Sequence, residues 1–224
     1  MEHRQPDPPI WMDRQAWCGL VRQAKAIAVV RAPSFETGVA MAKAVAQGGL
    51  TLIEITWNSP QPETLVETLS ASLPHCTIGT GTLLTLTDLK RAIAAGAKFC
   101  FSPHTDPTLI DYAGTCNLPF IPGALTPSEI VTAWQAGAAS VKIFPISVMG
   151  GPVYLKALQG PLGHIPLIPT GGVTTTNAPD LLTSGAIAVG VSSDLFPQAA
   201  LRQGDWDAIA HKAANLRRNL GVEP

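Results

Sequence analysis

The amino-acid sequence predicts an α/β chain folded as a (β/α)8 TIM barrel with an extra N-terminal helix, and three observations predict it. Eight short apolar, β-branched runs, at 26–32, 50–56, 76–82, 97–103, 119–123, 140–146, 166–172 and 187–193, have the continuous hydrophobicity of parallel strands buried on both faces. Their starts fall 21 to 26 residues apart, the period of a compact βα unit, and eight such units close a barrel. Amphipathic segments fill the intervals and end in small-residue stops. An open doubly wound sheet also alternates strands and helices, but it usually carries G-x-G-x-x-G after the first strand, where this chain has Val30-Arg31-Ala32-Pro33.

Taken in order, residues 1–12 read as a flexible tail, polar and proline-rich over 1–9, and residues 1–224 as a single domain. Asp13 is placed to cap a helix to about residue 25, with Trp17, Leu20, Val21 and Ala24 on one face. Later helix starts are legible in Thr85-Leu86-Thr87-Asp88 and in Thr126-Pro127-Ser128-Glu129, a capping box with proline at the first helical position. Helix stops read at Gln47-Gly48-Gly49, Ala95-Gly96-Ala97, Gln135-Ala136-Gly137-Ala138 and Ser184-Gly185-Ala186. Trp206, Ile209, Ala210, Ala213, Leu216 and Leu220 make the stripe of a last helix.

Composition narrows the partners. A formal net charge of −1 leaves no basic face for nucleic acid or a membrane surface, so a small molecule or another subunit is expected. No apolar run approaches the length of a membrane span, and the first residues lack the apolar region of an export signal. Cys18, Cys76, Cys100 and Cys116 have no C-x-x-C spacing and read as reduced, buried thiols of a cytoplasmic protein. His75, His104 and His164 fall in loops without metal-ligand spacing, so no metal is expected; no G-x-S-x-G serine elbow is present, and no cofactor is expected.

In a barrel the site forms at the C-terminal ends of the strands. Strand alternation turns Lys142 and Phe144 one way in Ser140-Val141-Lys142-Ile143-Phe144-Pro145, and Val141 and Ile143 the other. Burial lowers the pKa of such a lysine, and a fall of about 3 from about 10.4, equivalent to ~4 kcal/mol, makes it a nucleophilic amine near neutral pH. A strand-end lysine reaching to solvent is the competing reading. Glu54 interrupts Leu52-Ile53-Glu54-Ile55 in the same manner, either as half of a buried ion pair or as a proton-transfer partner of the amine. Arg31 at the end of the first run reads as a clamp for a substrate anion or as a surface charge. Gly171-Gly172, with the end of the eighth run, falls where barrels hold phosphate on backbone N–H groups.

Leu52-Ile53-Glu54-Ile55-Thr56, Gly79-Thr80-Gly81-Thr82, Phe101-Ser102-Pro103, Ile121-Pro122-Gly123, Val141-Lys142-Ile143-Phe144-Pro145 and Pro169-Thr170-Gly171-Gly172-Val173 together resemble the motifs of the 2-keto-3-deoxy-6-phosphogluconate (KDPG) and 4-hydroxy-2-oxoglutarate (KHG) aldolases over about 26–195. The resemblance implies a metal-free class I aldolase, commonly a homotrimer, whose extra N-terminal helix covers the barrel floor. It implies Lys142 as the Schiff-base lysine and Glu54 as the acid/base residue. It further implies Arg31 near a substrate anion, Thr82, Pro103 and Phe144 at the pyruvate end, and Gly171, Gly172 and Ser193 at the phosphate, with Thr170 in the same substrate-binding set. Trp57-Asn58-Ser59-Pro60-Gln61 resembles the galactonate-type members, whereas Thr170 stands closer to the gluconate type, and Ser192 replaces a customary glycine. The C4 epimer and the phosphate requirement therefore stay open. Two alternatives to an aldolase are a phosphate-binding barrel isomerase or synthase that uses Glu54 and Lys142 without an imine, and a degenerate barrel retained for binding.

Overall fold

The computed structural model describes residues 12–222, so the predicted tail lies, except for Met12, outside the described residues. Helix α1 (Arg14–Ala24) precedes β1 (Ala26–Val30), α2 (Phe35–Gln47), β2 (Leu52–Thr56), α3 (Pro62–Ser72), β3 (Thr77–Gly81), α4 (Leu86–Ala94), β4 (Cys100–Phe101) and α5 (Pro107–Thr115). The alternation continues through β5 (Phe120–Ile121), β6 (Gly123–Ala124), α6 (Pro127–Gln135), β7 (Val141–Ile143), α7 (Pro152–Leu162), β8 (Leu167–Pro169), α8 (Ala178–Thr183) and β9 (Val189–Val191). Two helices close the described chain, α9 (Gln198–Gln203) and α10 (Trp206–Asn219).

Every predicted strand run contains a strand, each shorter than the apolar run around it. The fifth run is split into β5 and β6 at Pro122, which has no N–H to give to a ladder. The sixth ends at Ile143, beyond which Ile146–Met149 forms a 3-10 turn.

All strand pairs are parallel. One ladder runs β5-β4-β3-β2-β1-β9 and the other β6-β7-β8. Ala139 N donates to Phe120 O at 3.0 Å and Lys142 N to Pro122 O at 2.9 Å between the ladders on one side. On the other, Ile187 N donates to Leu167 O at 3.0 Å, and Thr170 bridges Gly190 in parallel. The result is a curled parallel sheet with helices packed outside it.

Alternation along each strand sorts two cores. Ala28, Ile53, Ile55, Cys100, Val141, Ile143, Leu167 and Val189 pack outward against the helices. Ile27, Leu52, Phe99, Phe101, Ile121 and Ile168 pack together on the concave side with Trp17 and Val21 of α1. Asp13 caps α1 through Ala16 N–H at 2.8 Å, as its position before the apolar stripe implies. Trp17 donates from Nε1 to Ser140 Oγ at 3.0 Å and lies 5.1 Å from the Phe99 ring centroid and 6.3 Å from that of Phe101. The strand-filled end opposite the site is therefore closed by aromatic packing whose polar handle is satisfied.

The two legible helix starts are caps: Thr85 Oγ1 accepts from Asp88 N, and Thr126 and Glu129 form the reciprocal capping box. Gly49, Gly96, Gly137 and Gly185 take positive φ at the predicted stops. The cysteines differ from expectation. Only Cys100 is fully buried, and Cys18, Cys76 and Cys116 are partly buried, packed against the edges of the two cores. Burial still pushes the Cys76 thiol up to about 11.

Candidate active site

The β1–β2–β3 register sets one layer of the concave side, with Val29 opposite Glu54 and Glu54 opposite Gly79. The layer is roomy because β3 is Thr-Ile-Gly-Thr-Gly. A Cβ at Gly79 would run into the Phe99 ring, and one at Gly81 would overlap Glu54 Oε1. Glycine is thus what gives the carboxyl group its space. Lys142 enters from β7, with Gly123 of β6 and Ile168 of β8 as its ladder partners.

Glu54 is 2% exposed and Lys142 5%. Burial pushes the Glu54 carboxyl above its ordinary range, against the opposing pull of the Lys142 and Arg31 charges. Burial likewise holds the Lys142 ammonium below its ordinary range; the Glu54 charge opposes this, and the Arg31 charge adds to it. No salt bridge joins the two, although the sequence alone permits one. Glu54 Oε1 finds no hydrogen-bond donor among the described residues, a cost of about 1–3 kcal/mol for a buried oxygen. That oxygen is open to a donor brought from outside the chain.

Lys142 Nζ lies 4.8 Å from the Phe144 ring centroid and 5.7 Å from that of Phe101. Phe144 is thus beside the amine, as the strand alternation requires. Phe101 forms a second wall, and although it begins the Phe-Ser-Pro motif, the sequence reading assigns it no role. Pro103 is two steps away: a Cβ on Gly123, the ladder neighbour of Lys142, would overlap the Pro103 carbonyl. Thr82 follows Gly81 in a left-handed conformation at φ 63°.

Gly171 and Gly172 have φ of 88° and 78°, and a Cβ on Gly171 would press on the Phe144 ring at 3.1 Å. Thr170 is buried, against Gly190. The turn is held by residues for which the sequence gives little signal. Asn177 donates from Nδ2 to Gly172 O at 3.0 Å and exchanges bonds with Thr174. Asp194 accepts from Thr175 N at 2.9 Å and pairs with Lys212 of α10 at 3.2 Å, tying the β8 and β9 loops together. The Asn177 exchange has a local Thr-x-x-Asn pattern; the partners of Asp194 come from distant segments, so no spacing reveals them. Ser192 donates to Val29 O at 3.0 Å, so its hydroxyl faces β1, while Ser193 is exposed at the end of β9.

Arg31 is exposed just beyond β1 and acts electrostatically on both Glu54 and Lys142. A cleft of about 410 Å³ lined by Arg22, Lys25, Leu182 and Asn219 opens at the other ends of the strands and contains neither ionisable group of this site. No group of three or more His, Cys, Asp or Glu residues among those described is arranged to hold a metal. No described helix is long and apolar enough to cross a membrane.

A buried amine, a buried carboxyl with a free oxygen and a glycine turn packed on the ring beside the amine suit carbonyl chemistry. The comparisons agree. The model of the KDPG and KHG aldolase family matches residues 19–212. The 2-dehydro-3-deoxy-phosphogluconate aldolase of Pseudomonas aeruginosa is 36% identical over 190 residues, covering 85% of this chain and 86% of that protein. A probable 2-dehydro-3-deoxy-6-phosphogalactonate aldolase of Rhizobium meliloti is 35% identical over 192 residues, covering 84% and 90%. Among solved structures, the Legionella pneumophila KDPG aldolase, with pyruvate captured at low pH as a covalent carbinolamine intermediate, superposes with a TM-score of 0.82 at 29% identity, covering 89% of this chain and 97% of that one. A buried lysine and carboxyl on one curled parallel sheet, with relatives of this similarity along most of the sequence, make the chain a member of the KDPG and KHG aldolase family.

Proposed function

We propose that this chain cleaves a 2-keto-3-deoxy-6-phospho sugar acid, the gluconate or its galactonate epimer, to pyruvate and glyceraldehyde 3-phosphate through a Schiff base on Lys142. 4-Hydroxy-2-oxoglutarate, giving pyruvate and glyoxylate, is a second substrate of the same site. The observation that carries the reading is Lys142 itself: an amine 5% exposed, walled by two aromatic rings and held below its ordinary pKa by burial.

The neutral amine adds to the C2 ketone, and loss of water leaves a protonated imine. Glu54, raised by burial, supplies the proton that lets hydroxide leave as water. The resulting carboxylate then takes the C4 hydroxyl proton. The C3–C4 bond breaks, its electron pair moves into the iminium to form an enamine, and the aldehyde departs. Glu54 returns the proton to C3, and water releases pyruvate and the free amine. Phe144, Pro103 and Thr82 line the pyruvate end and Arg31 meets the substrate carboxylate. Thr170, Gly171, Gly172 and Ser193 receive the phosphate, where the positive-φ turn presents backbone N–H groups.

The same reading takes the two ladders as one closed (β/α)8 barrel and a single domain, with α1 as the extra helix over its floor. Support comes from the hydrogen bonds between the ladders on both sides and from Trp17 on Ser140. A homotrimer in the cytoplasm completes it. Val148, Met149 and Val153, exposed beyond β7, are apolar surface that a subunit contact would cover.

The test is reduction with borohydride in the presence of pyruvate, followed by peptide mass mapping. The expected product is Lys142 with its amine converted to an N-(1-carboxyethyl) group, a net gain equal to pyruvic acid less one oxygen. An active enzyme that forms no such adduct would favour a barrel isomerase or synthase using Glu54 and Lys142 as a proton pair.

A further inference from the structure

We infer that Ser59 is a positioning residue for Arg31: its buried hydroxyl carries the β1–β2 ladder one rung past its last backbone pair and so fixes the base of the arginine that faces the Glu54 and Lys142 site. The inference rests on the proposed role of Arg31 toward the substrate anion.

The β1–β2 pairing ends at Val30 opposite Ile55. Arg31 follows, and the next amide, Ala32 N, donates to Ser59 Oγ at 3.1 Å. Ala32 is buried, so without this acceptor its N–H would be an orphan donor. Ser59 is itself 4% exposed, and its hydroxyl also bonds Thr56 Oγ1 at 3.1 Å, at the end of the strand that carries Glu54. One hydroxyl therefore joins the backbone after Arg31 to the strand of the catalytic carboxyl.

The loop that brings Ser59 there is stiff. Ser59 N donates to Thr56 O at 2.9 Å, and Pro60 restricts the backbone of Ser59. Trp57 N donates to Gly81 O at 2.7 Å, and the Trp57 indole donates to Asp88 at 3.1 Å. On the far edge of β1, Ser192 holds Val29 O. Arg31 thus sits on a backbone tied on both sides, although its side chain is exposed and long. With its origin fixed, the number of places the guanidinium can reach is reduced, and so is the entropy lost when it meets an anion.

The experiment is a double-mutant cycle on steady-state cleavage of the 6-phospho sugar acid, using Ser59→Ala and Arg31→Gln, with thermal melts as a folding control. Ser59→Ala should raise KM about tenfold, the scale of one lost hydrogen bond, with kcat within about twofold of the parent. In the Arg31→Gln background the same change should add less than about twofold. Ser59→Thr and Ser59→Val, nearly equal in volume, should separate, with threonine close to the parent KM and valine resembling alanine. A full Ser59→Ala effect in the Arg31→Gln background, or equal KM for the threonine and valine variants, would overturn the positioning role while leaving Lys142 trapping intact. Arg31→Gln with parental KM would also overturn it. Loss of the borohydride adduct in the parent enzyme is the separate failure of the underlying aldolase reading.

Discussion

Replacing Glu54 with glutamine tests the proposed site at two levels. The side chain keeps its shape, so the space left by Gly81 stays filled, but the group can no longer be charged or accept and return a proton. Positioned acid/base groups contribute about 10²–10⁴ in rate, and kcat should fall by that amount. Imine formation should slow, since Glu54 supplies the dehydration proton, but should still be complete within a trapping reaction. The Glu54 charge raises the Lys142 value, so its removal leaves burial and Arg31 to hold the amine lower, and trapping by borohydride should extend to lower pH than in the parent. Stability gives an independent reading. The folded-state value of Glu54 is raised above its ordinary 4.5, so the parent gains stability from this group below 4.5 and loses it as pH rises through the raised value. Across that window the parent should lose ~1.4 kcal/mol per pH unit relative to the glutamine variant, measured by urea midpoints from pH 4 to 8. A kcat within a few-fold of the parent together with a stability difference independent of pH would refute both the catalytic role and the burial that motivates it.

Three further outcomes follow from the surroundings of the site. Gly81→Ala places a Cβ on Glu54 Oε1 and should cost about 1–3 kcal/mol by overpacking and about a hundredfold in kcat by displacing the carboxyl; urea melts and single-turnover cleavage measure the two. Trp17→Ala removes the aromatic packing and strands Ser140, for a loss of about 3–5 kcal/mol and a Tm lower by roughly 6–20 °C in calorimetry; a Tm within 2 °C of the parent would remove α1 from the stability argument. Asp194→Asn unties the β8 and β9 loops and should raise KM for the 6-phospho substrate about fivefold while leaving that for 4-hydroxy-2-oxoglutarate unchanged. Burial works to raise the Asp194 value, but the Thr175 N–H and Lys212 outweigh it and hold the carboxyl below 3.8. Its contribution is therefore present above 3.8 and lost as pH falls through the lowered value, so the stability gap between Asp194→Asn and the parent should close in acid.

What was readable in the sequence was whatever a local period or a chemical anomaly announces. The strand runs, the caps at Thr85 and Thr126 and the α1 stripe all follow from spacing along one segment. Lys142 and Glu54 were visible because a charge inside a β-branched run contradicts its own burial pattern. The apolar runs outlast their strands because residues beyond the ladder stay buried: Ile146 packs in the outer core and its N–H still bonds Thr170 O, but the backbone there has turned 3-10. Ser59 stands in a motif the sequence shows and Asp194 does not, but the role of neither is legible, for a different reason. Each is an ordinary polar residue in a loop, and its significance lies in partners 27 residues away for Ala32 and 19 for Thr175, set only once the strands are side by side.

The roles proposed for Lys142 and Glu54 set burial against attraction in the amine–carboxyl pair. Burial favours the neutral amine with the neutral acid, whereas mutual attraction favours ammonium with carboxylate, and the two forms contain the same single proton. A pair left to attraction alone would settle as a buried ion pair, with an amine unable to attack a ketone. The absence of a direct salt bridge weakens that attraction, and the Arg31 charge works on both groups, with burial on the amine and against burial on the carboxyl. The shared proton can then lie on Glu54 for the dehydration step while Lys142 remains a nucleophile, and it can leave Glu54 once the lysine nitrogen has become an iminium whose charge favours the carboxylate. In the proposed cycle the order of proton transfers follows from burial and the gap between amine and carboxyl, set against the pull of Arg31 toward the carboxylate.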